Sequence, residues 1–147
     1  MPRDIVKRLA LHDRLAATML SLLRVIAGLL FLTHGTQKLF GYPAPSEFGI
    51  APLFGLTGFA AILELLGGIL LTIGLFTRLV AFALSGMMAV AYFMVHAPMG
   101  FYPILNHGEL AVLFCFVFLL LSVVGAGKWS VDHIVLGRFK QRVTGHA

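Results

Sequence analysis

The stretch Thr57–Arg78, TGFAAILELLGGILLTIGLFTR, decides how the rest of the chain is read. Roughly 20 apolar residues at about 1.5 Å each cross the ~30 Å hydrocarbon core of a bilayer, and this stretch is long enough to do so. Glu64 lies inside it. A carboxylate at that depth is costly unless it is protonated, paired or wetted, so it faces a bundle interior, and its partner is the main question. Gly67 and Gly68, just beyond it, let a second helix backbone come close.

The flanking sequence has the same character. Of 147 residues, 59% are hydrophobic and only 12% charged. With a mean hydropathy of +0.96, this composition excludes an ordinary soluble domain and implies an integral membrane protein of the all-α class. Apolar runs set four spans, at about 15–39, 56–76, 79–97 and 107–124, joined by short links into an up-down-up-down bundle over residues 15–127. Residues 1–14 form a basic N-terminal segment that reads as a surface-lying helix or as a tail. The apolar run behind it is too long for the core of a signal peptide. Residues 128–147 form a basic tail in which Trp129 reads as an interfacial anchor. The links FGYPAPSEFGIAPLF (Phe40–Phe54) and APMGFYPILN (Ala97–Asn106) carry the Pro and Gly of loops and the aromatic residues of the headgroup region, and the first also suits a re-entrant cap.

Charge sets the expected orientation. Arg3, Lys7, Arg8, Arg14, Arg78, Lys128, Arg138, Lys140 and Arg142 fall on one side of such a bundle, and only Lys38 borders the other. By the positive-inside rule both termini are cytoplasmic. The formal charge of +5 therefore fits membrane orientation and not nucleic-acid binding. The lone Cys115 excludes a disulfide within the chain, CxxC redox chemistry and a zinc–thiolate site.

The polar residues inside the spans form two groups. On a helix of 3.6 residues per turn, Arg24, Gly28, Phe31, Gly35 and Lys38 share one stripe, with His34 on its flank. Counted at the helical rise, Arg24 lies about 22 Å below Leu39 and Glu64 about 15 Å below Phe54, a gap a guanidinium arm can cover. A buried ion pair, Arg24 with Glu64, is the expectation, because each charge is costly alone and the planar fork suits a carboxylate. Such a pair serves chemistry, or it only fixes which helices adjoin. The second group gathers at the outer helix ends: His34, Lys38, Tyr92, His96, Asn106, His107 and Glu109, with Tyr42 and Tyr102 near by and Lys38 level with Glu109. An outer polar pocket of this kind suits a quinone headgroup, a proton relay or a metal ion. Histidines at helix ends also serve as plain interfacial residues. No pair has a diagnostic metal-ligand spacing, and no haem motif is present, so no metal is assigned. On the third span Ala81, Ser85 and Ala89 form a small-residue packing ridge.

Taken together, Arg24 and Gly28 followed by HGxxKLFG (His34–Gly41), then LExxGGxLLxxGLxTR (Leu63–Arg78), His96, NHGELAxL (Asn106–Leu113) and GxGKWSVD (Gly125–Asp132) resemble the DoxX family of small bacterial membrane proteins. The resemblance implies a multi-pass four-helix protein of the bacterial inner membrane. It also implies a loose link to redox metabolism, since relatives include the membrane subunit of a thiosulfate:quinone oxidoreductase, a member of an oxidoreductase complex that handles thiol stress, and accessory or assembly proteins. Arg24, Lys38, Glu64 and Glu109 match the recurring charged positions of that family.

Three functions follow as expectations. The first is a membrane subunit of a redox system that binds a quinone or similar small molecule in the outer half of the bundle. The chain has no redox-active group of its own, so it is at most an oxidoreductase subunit that needs a redox partner protein or a bound cofactor, and no residue is assigned as catalytic. The second is a non-catalytic scaffold or assembly factor that uses the Ala81–Ser85–Ala89 ridge and the basic tail to hold a partner. The third is a small-solute or proton pathway, which requires a homo-oligomer because four helices leave little room for a pore. In all three the lipid bilayer is the constant partner.

Overall fold

The computed structural model describes residues 3–46 and 49–135. Those residues hold four long helices: Arg3–Phe40 (α1), Leu56–Ile73 (α2), Thr77–Ala91 (α3) and Glu109–Val124 (α4). Among them there is no strand. Three helical stretches are long and apolar enough to cross a membrane: Leu11–Phe40, Leu56–Ile73 and Thr77–Met99. The third includes a π-helical turn, Tyr92–His96, and a 3-10 turn, Ala97–Met99, that carry α3 onward. The fourth helix is apolar but has only 16 residues, about 24 Å at the helical rise.

The basic N-terminal segment is not a separate element, since α1 runs without a break from Arg3 to Phe40. Arg138, Lys140 and Arg142 of the basic tail, and the side chains of Arg3, Lys7 and Arg8, lie outside the described residues.

Glycine sets how α1 meets α2. A Cβ on Gly35 would lie 2.5 Å from the backbone N of Leu65, and one on Gly68 would lie 2.6 Å from the backbone N of Leu32. A Cβ on Gly28 would stand 2.8 Å from the backbone N of Thr72. No side chain fits at these three positions. The two backbones touch, as small-residue packing in lipid allows, and the contacts lock one register: Gly28 beside Thr72 and Gly35 beside Leu65. Helix α2 then ends at Gly74, whose φ of 71° is the left-handed conformation that glycine adopts freely, with its N–H returned to the Leu71 carbonyl.

The third and fourth helices pair in turn. The ridge residues Ala81 and Ser85 are buried, and the Ser85 hydroxyl donates to the Cys115 carbonyl of α4 at 2.8 Å. Packing is closest within α1–α2 and α3–α4, weaker between α2 and α3, and slight between α1 and α4. The two pairs meet over a core of Phe31, Leu71, Leu84, Phe118 and Leu121, where the Phe31 and Phe118 rings meet edge to face at 4.9 Å. Away from that core the helices present Leu, Ile, Val and Phe outward, as a chain solvated by lipid does.

Candidate functional site

The polar residues separate into two clusters at opposite ends of the bundle. At one end the fully buried Arg24 meets no carboxylate. Its Nε donates to the Ala126 carbonyl at 2.8 Å and its Nη1 to the Thr72 carbonyl at 2.7 Å, while Nη1 and Nη2 also reach the carbonyls of Leu71 and Trp129. The guanidinium therefore ties the C-terminal end of α2 to the turn that follows α4. Carbonyls at a helix end lack intrahelical donors, and a cation there also suits the helix dipole. Asp132 completes the clasp. Its backbone N–H donates to the Gly74 carbonyl at 2.9 Å, and its carboxylate accepts from the backbone N–H groups of Phe76 and Thr77 at 2.8 Å each, capping α3. Ser21, also buried, accepts from the Trp129 N–H at 3.3 Å.

This arrangement corrects the expected Arg24–Glu64 pair. Counting both spans inward from their loops assumed that Leu39 and Phe54 sit level, but the glycine contacts fix the register differently. With Gly35 beside Leu65 and Gly28 beside Thr72, Arg24 stands about 18 Å along the bundle from Glu64 at the helical rise.

At the other end, Lys38 takes the place expected of Arg24. Its Nζ donates to Glu64 Oε1 at 2.6 Å, the one ion pair among the described residues. The carboxylate is nearly sealed, with 4% of its side chain exposed, while the lysine keeps 38%. Lys38 thus pairs with Glu64 and not with Glu109, which is exposed in the first turn of α4, where its charge suits the helix N-terminus. Glu64 Oε2 is buried and has no hydrogen-bond partner among the described residues.

That unpartnered oxygen belongs to a residue lining an open cavity of about 650 Å³ walled by all four helices and the link between α1 and α2. His34, Lys38, His96 and His107 line it beside Glu64, and Phe31, Leu56, Met87, Met88, Met94, Leu110 and Phe114 make most of the rest of its wall apolar. A volume of this order is that of a small-molecule site, with an apolar wall and few polar groups. The His34 ring sits edge-on to Phe31 and Phe114, with centroids 6.5 and 6.1 Å away.

Asn106 does not line the cavity; it builds the rim. Wholly buried, it donates through Nδ2 to the Gly100 carbonyl at 2.7 Å and, weakly, to the Tyr92 hydroxyl at 3.4 Å, and its Oδ1 accepts from the Gly108 N–H at 2.9 Å. Its own carbonyl lies 2.9 Å from His96 Nδ1. Tyr92 stacks on His96 with ring centroids 6.3 Å apart. His107 follows at φ 58°, a left-handed conformation rare outside glycine. Tyr42 and Tyr102 are exposed and take no part in the cavity wall. Among the described residues no group of three or more His, Cys, Asp and Glu side chains is placed to hold a metal ion.

Sequence reading gave no role to Asp132 and Ser21. Asp132 stood within GKWSVD, the only acid after Glu109, next to the turn that begins α3, but the N–H groups it caps belong to a segment 55 residues earlier. Met87 and Met88 of α3, to which sequence reading also gave no role, line the cavity.

A family model for DoxX matches residues 19–97 of the chain. The chain belongs to the DoxX family. An uncharacterized protein of Haemophilus influenzae is 41% identical over 121 residues, 78% of this chain and 88% of that protein. The putative oxidoreductase CatD of Bacillus subtilis is 31% identical over 131 residues, 85% of this chain and 90% of that protein. The inner membrane protein YqjF of Escherichia coli is 28% identical over 124 residues, 76% of this chain and 88% of that one. No solved structure shows significant similarity to the chain. Family, relatives and several apolar helices together make this DoxX protein a multi-pass protein of the bacterial inner membrane, in contact with lipid.

Proposed function

We propose that this DoxX protein is a membrane subunit of a redox system, binding a quinone or similar amphipathic small molecule in the cavity at the His34–His96 end. The observation that carries the reading is Glu64 Oε2, buried and unpartnered, on a residue that faces a largely apolar cavity. A buried acceptor without a donor costs free energy that a ligand hydroxyl or a bound water recovers. A quinone fits this cavity in kind: its ring and tail suit the apolar wall, and its oxygens suit the few polar groups.

In this reading the chain crosses the membrane four times, with both termini cytoplasmic and the cavity opening toward the outer face. Arg14, Arg78 and Lys128 then fall on the cytoplasmic side and Lys38 on the other. The 16-residue α4 spans together with the neighbouring turns, in a locally thinned bilayer. A bound quinone supplies the two-electron, two-proton couple that the side chains lack. Glu64 holds or passes protons at Oε2. Lys38 holds the carboxylate beside the cavity, and His34, His96 and His107 contact the headgroup. Electrons come from a redox partner protein. The name of the Bacillus subtilis relative, a putative oxidoreductase, is in keeping with this role.

The scaffold reading keeps its basic tail but not its ridge, since Ala81 and Ser85 are buried and the Ser85 hydroxyl bonds to α4. Native mass spectrometry of protein released from membranes in mild detergent tests the proposal. A co-purifying quinone, in either redox form, supports it. Protein free of quinone, with quinone-linked membrane activity unchanged in Glu64→Gln, overturns it.

A further inference from the structure

The hydrogen-bonding sense of the cavity narrows its ligand further. An ion-paired carboxylate is acceptor-only, and Lys38 donates to Oε1 while Oε2 keeps its lone pairs and has no donor among the described residues. His96 adds a second acceptor. A backbone carbonyl cannot donate, so the 2.9 Å contact between His96 Nδ1 and the Asn106 carbonyl places the ring proton on Nδ1. In the neutral imidazole, Nε2 then carries the lone pair. Asn106 is held in turn by Gly100 and Gly108, so this tautomer is built into the fold, and His96 lines the same cavity as Glu64.

Resting on the reading above, we propose that the cavity selects the reduced, dihydroxy form of its ligand, a quinol, over the oxidised dione. The two forms have nearly the same size and apolar surface, so the wall does not separate them. Their oxygens do. A quinol carries two O–H donors across its ring, matching Glu64 Oε2 and His96 Nε2. A quinone carries only acceptors: it can take the remaining N–H groups of Lys38, as a quinol oxygen also can, but it sets lone pair against lone pair at Glu64 Oε2 and His96 Nε2, and a buried polar site rejects a ligand that leaves its groups unpaired. The expected preference is about tenfold or more, the effect of one such bond. By linkage, a tenfold preference raises the potential of the bound two-electron couple by about 30 mV. The site thereby favours keeping electrons on its ligand, as suits a place where a quinone is reduced.

Calorimetric titration of the purified full chain in detergent, under argon, with a decyl-tailed benzoquinone and with its quinol tests this. Wild type is expected to bind the quinol about tenfold tighter. Glu64→Gln offers an amide donor as well as an acceptor, so the preference should fall to about threefold or less or reverse, with circular dichroism confirming the fold. His96→Leu, at the half-buried rim, is a second variant expected to reduce the preference independently. Equal binding of the two forms by wild type, or a preference that survives both substitutions, overturns the selectivity while leaving a quinone site intact. Binding of neither form overturns the site itself.

Discussion

Arg24 offers the sharpest separation of structure from function, and Arg24→Met is the change to make. Methionine keeps most of the length and removes every donor. Of the four carbonyls that the guanidinium meets, Leu71 retains the Gly74 N–H at 3.1 Å, while those of Thr72, Ala126 and Trp129 lose their side-chain donor. Each carbonyl left unsatisfied costs about 1 to 3 kcal/mol, toward the lower end where the turn after α4 admits water. Sparing the burial of a cation returns part of that loss. The net expectation is a loss of about 3 kcal/mol. The only tryptophan, Trp129, sits in the clasp and reports on it, so unfolding of the protein in mixed micelles can be followed by its fluorescence. The quinone dissociation constant of the folded fraction should change by less than about twofold, because the cavity lies about 18 Å away along the bundle. Arg24→Lys, with charge but no fork, should recover about half the stability. A loss under about 1 kcal/mol, or intact stability with binding weakened tenfold, would refute the structural role given to Arg24.

Other substitutions probe the remaining links. Gly35→Val places a side chain where Cβ already lies 2.5 Å from the Leu65 backbone, and it should cost more than about 3 kcal/mol or prevent folding; Gly86→Ala, where nothing lies within 4 Å, should be neutral or stabilising by up to about 1 kcal/mol in the same melt. Asp132→Ala removes the cap on Phe76 and Thr77 and should cost about 1 to 2 kcal/mol without changing ligand affinity. A double-mutant cycle of Lys38→Met and Glu64→Gln should give a coupling of about 1 to 2 kcal/mol, less than a fully buried pair because Lys38 keeps 38% exposure; a coupling near zero would mean that the pair is incidental.

How much was legible in the sequence depended on which interactions carry a sequence signature. The stripe of Arg24, Gly28, Phe31, Gly35 and Lys38 follows from helical periodicity alone, and all five side chains or glycines turn toward the rest of the bundle. Gly67 and Gly68 announced a close approach because only a missing side chain permits one, and Gly68 lies against α1. Periodicity says which face of a helix is buried but not how far one helix slides along another. That sliding is set by Gly28 and Gly35 against α2, and it moved Glu64 from Arg24 to Lys38. The acceptors of Arg24 had no signature at all, because every residue carries a carbonyl. The cavity was half legible. Its histidines, lysine and glutamate stand out against an apolar background, whereas the methionines and phenylalanines of its wall look like any others in a membrane helix until the helices are set side by side.

Cross-linking with a photoreactive quinone analogue, followed by mapping of the labelled peptides, tests the central claim most directly. Labels are expected on the segment holding Met87, Met88 and Met94 and on the segment from His107 to Phe114, removed by excess unlabelled quinone. Labels that resist competition, or that fall on Thr77–Leu79 and Gly125–His133 at the Arg24 end, would contradict it.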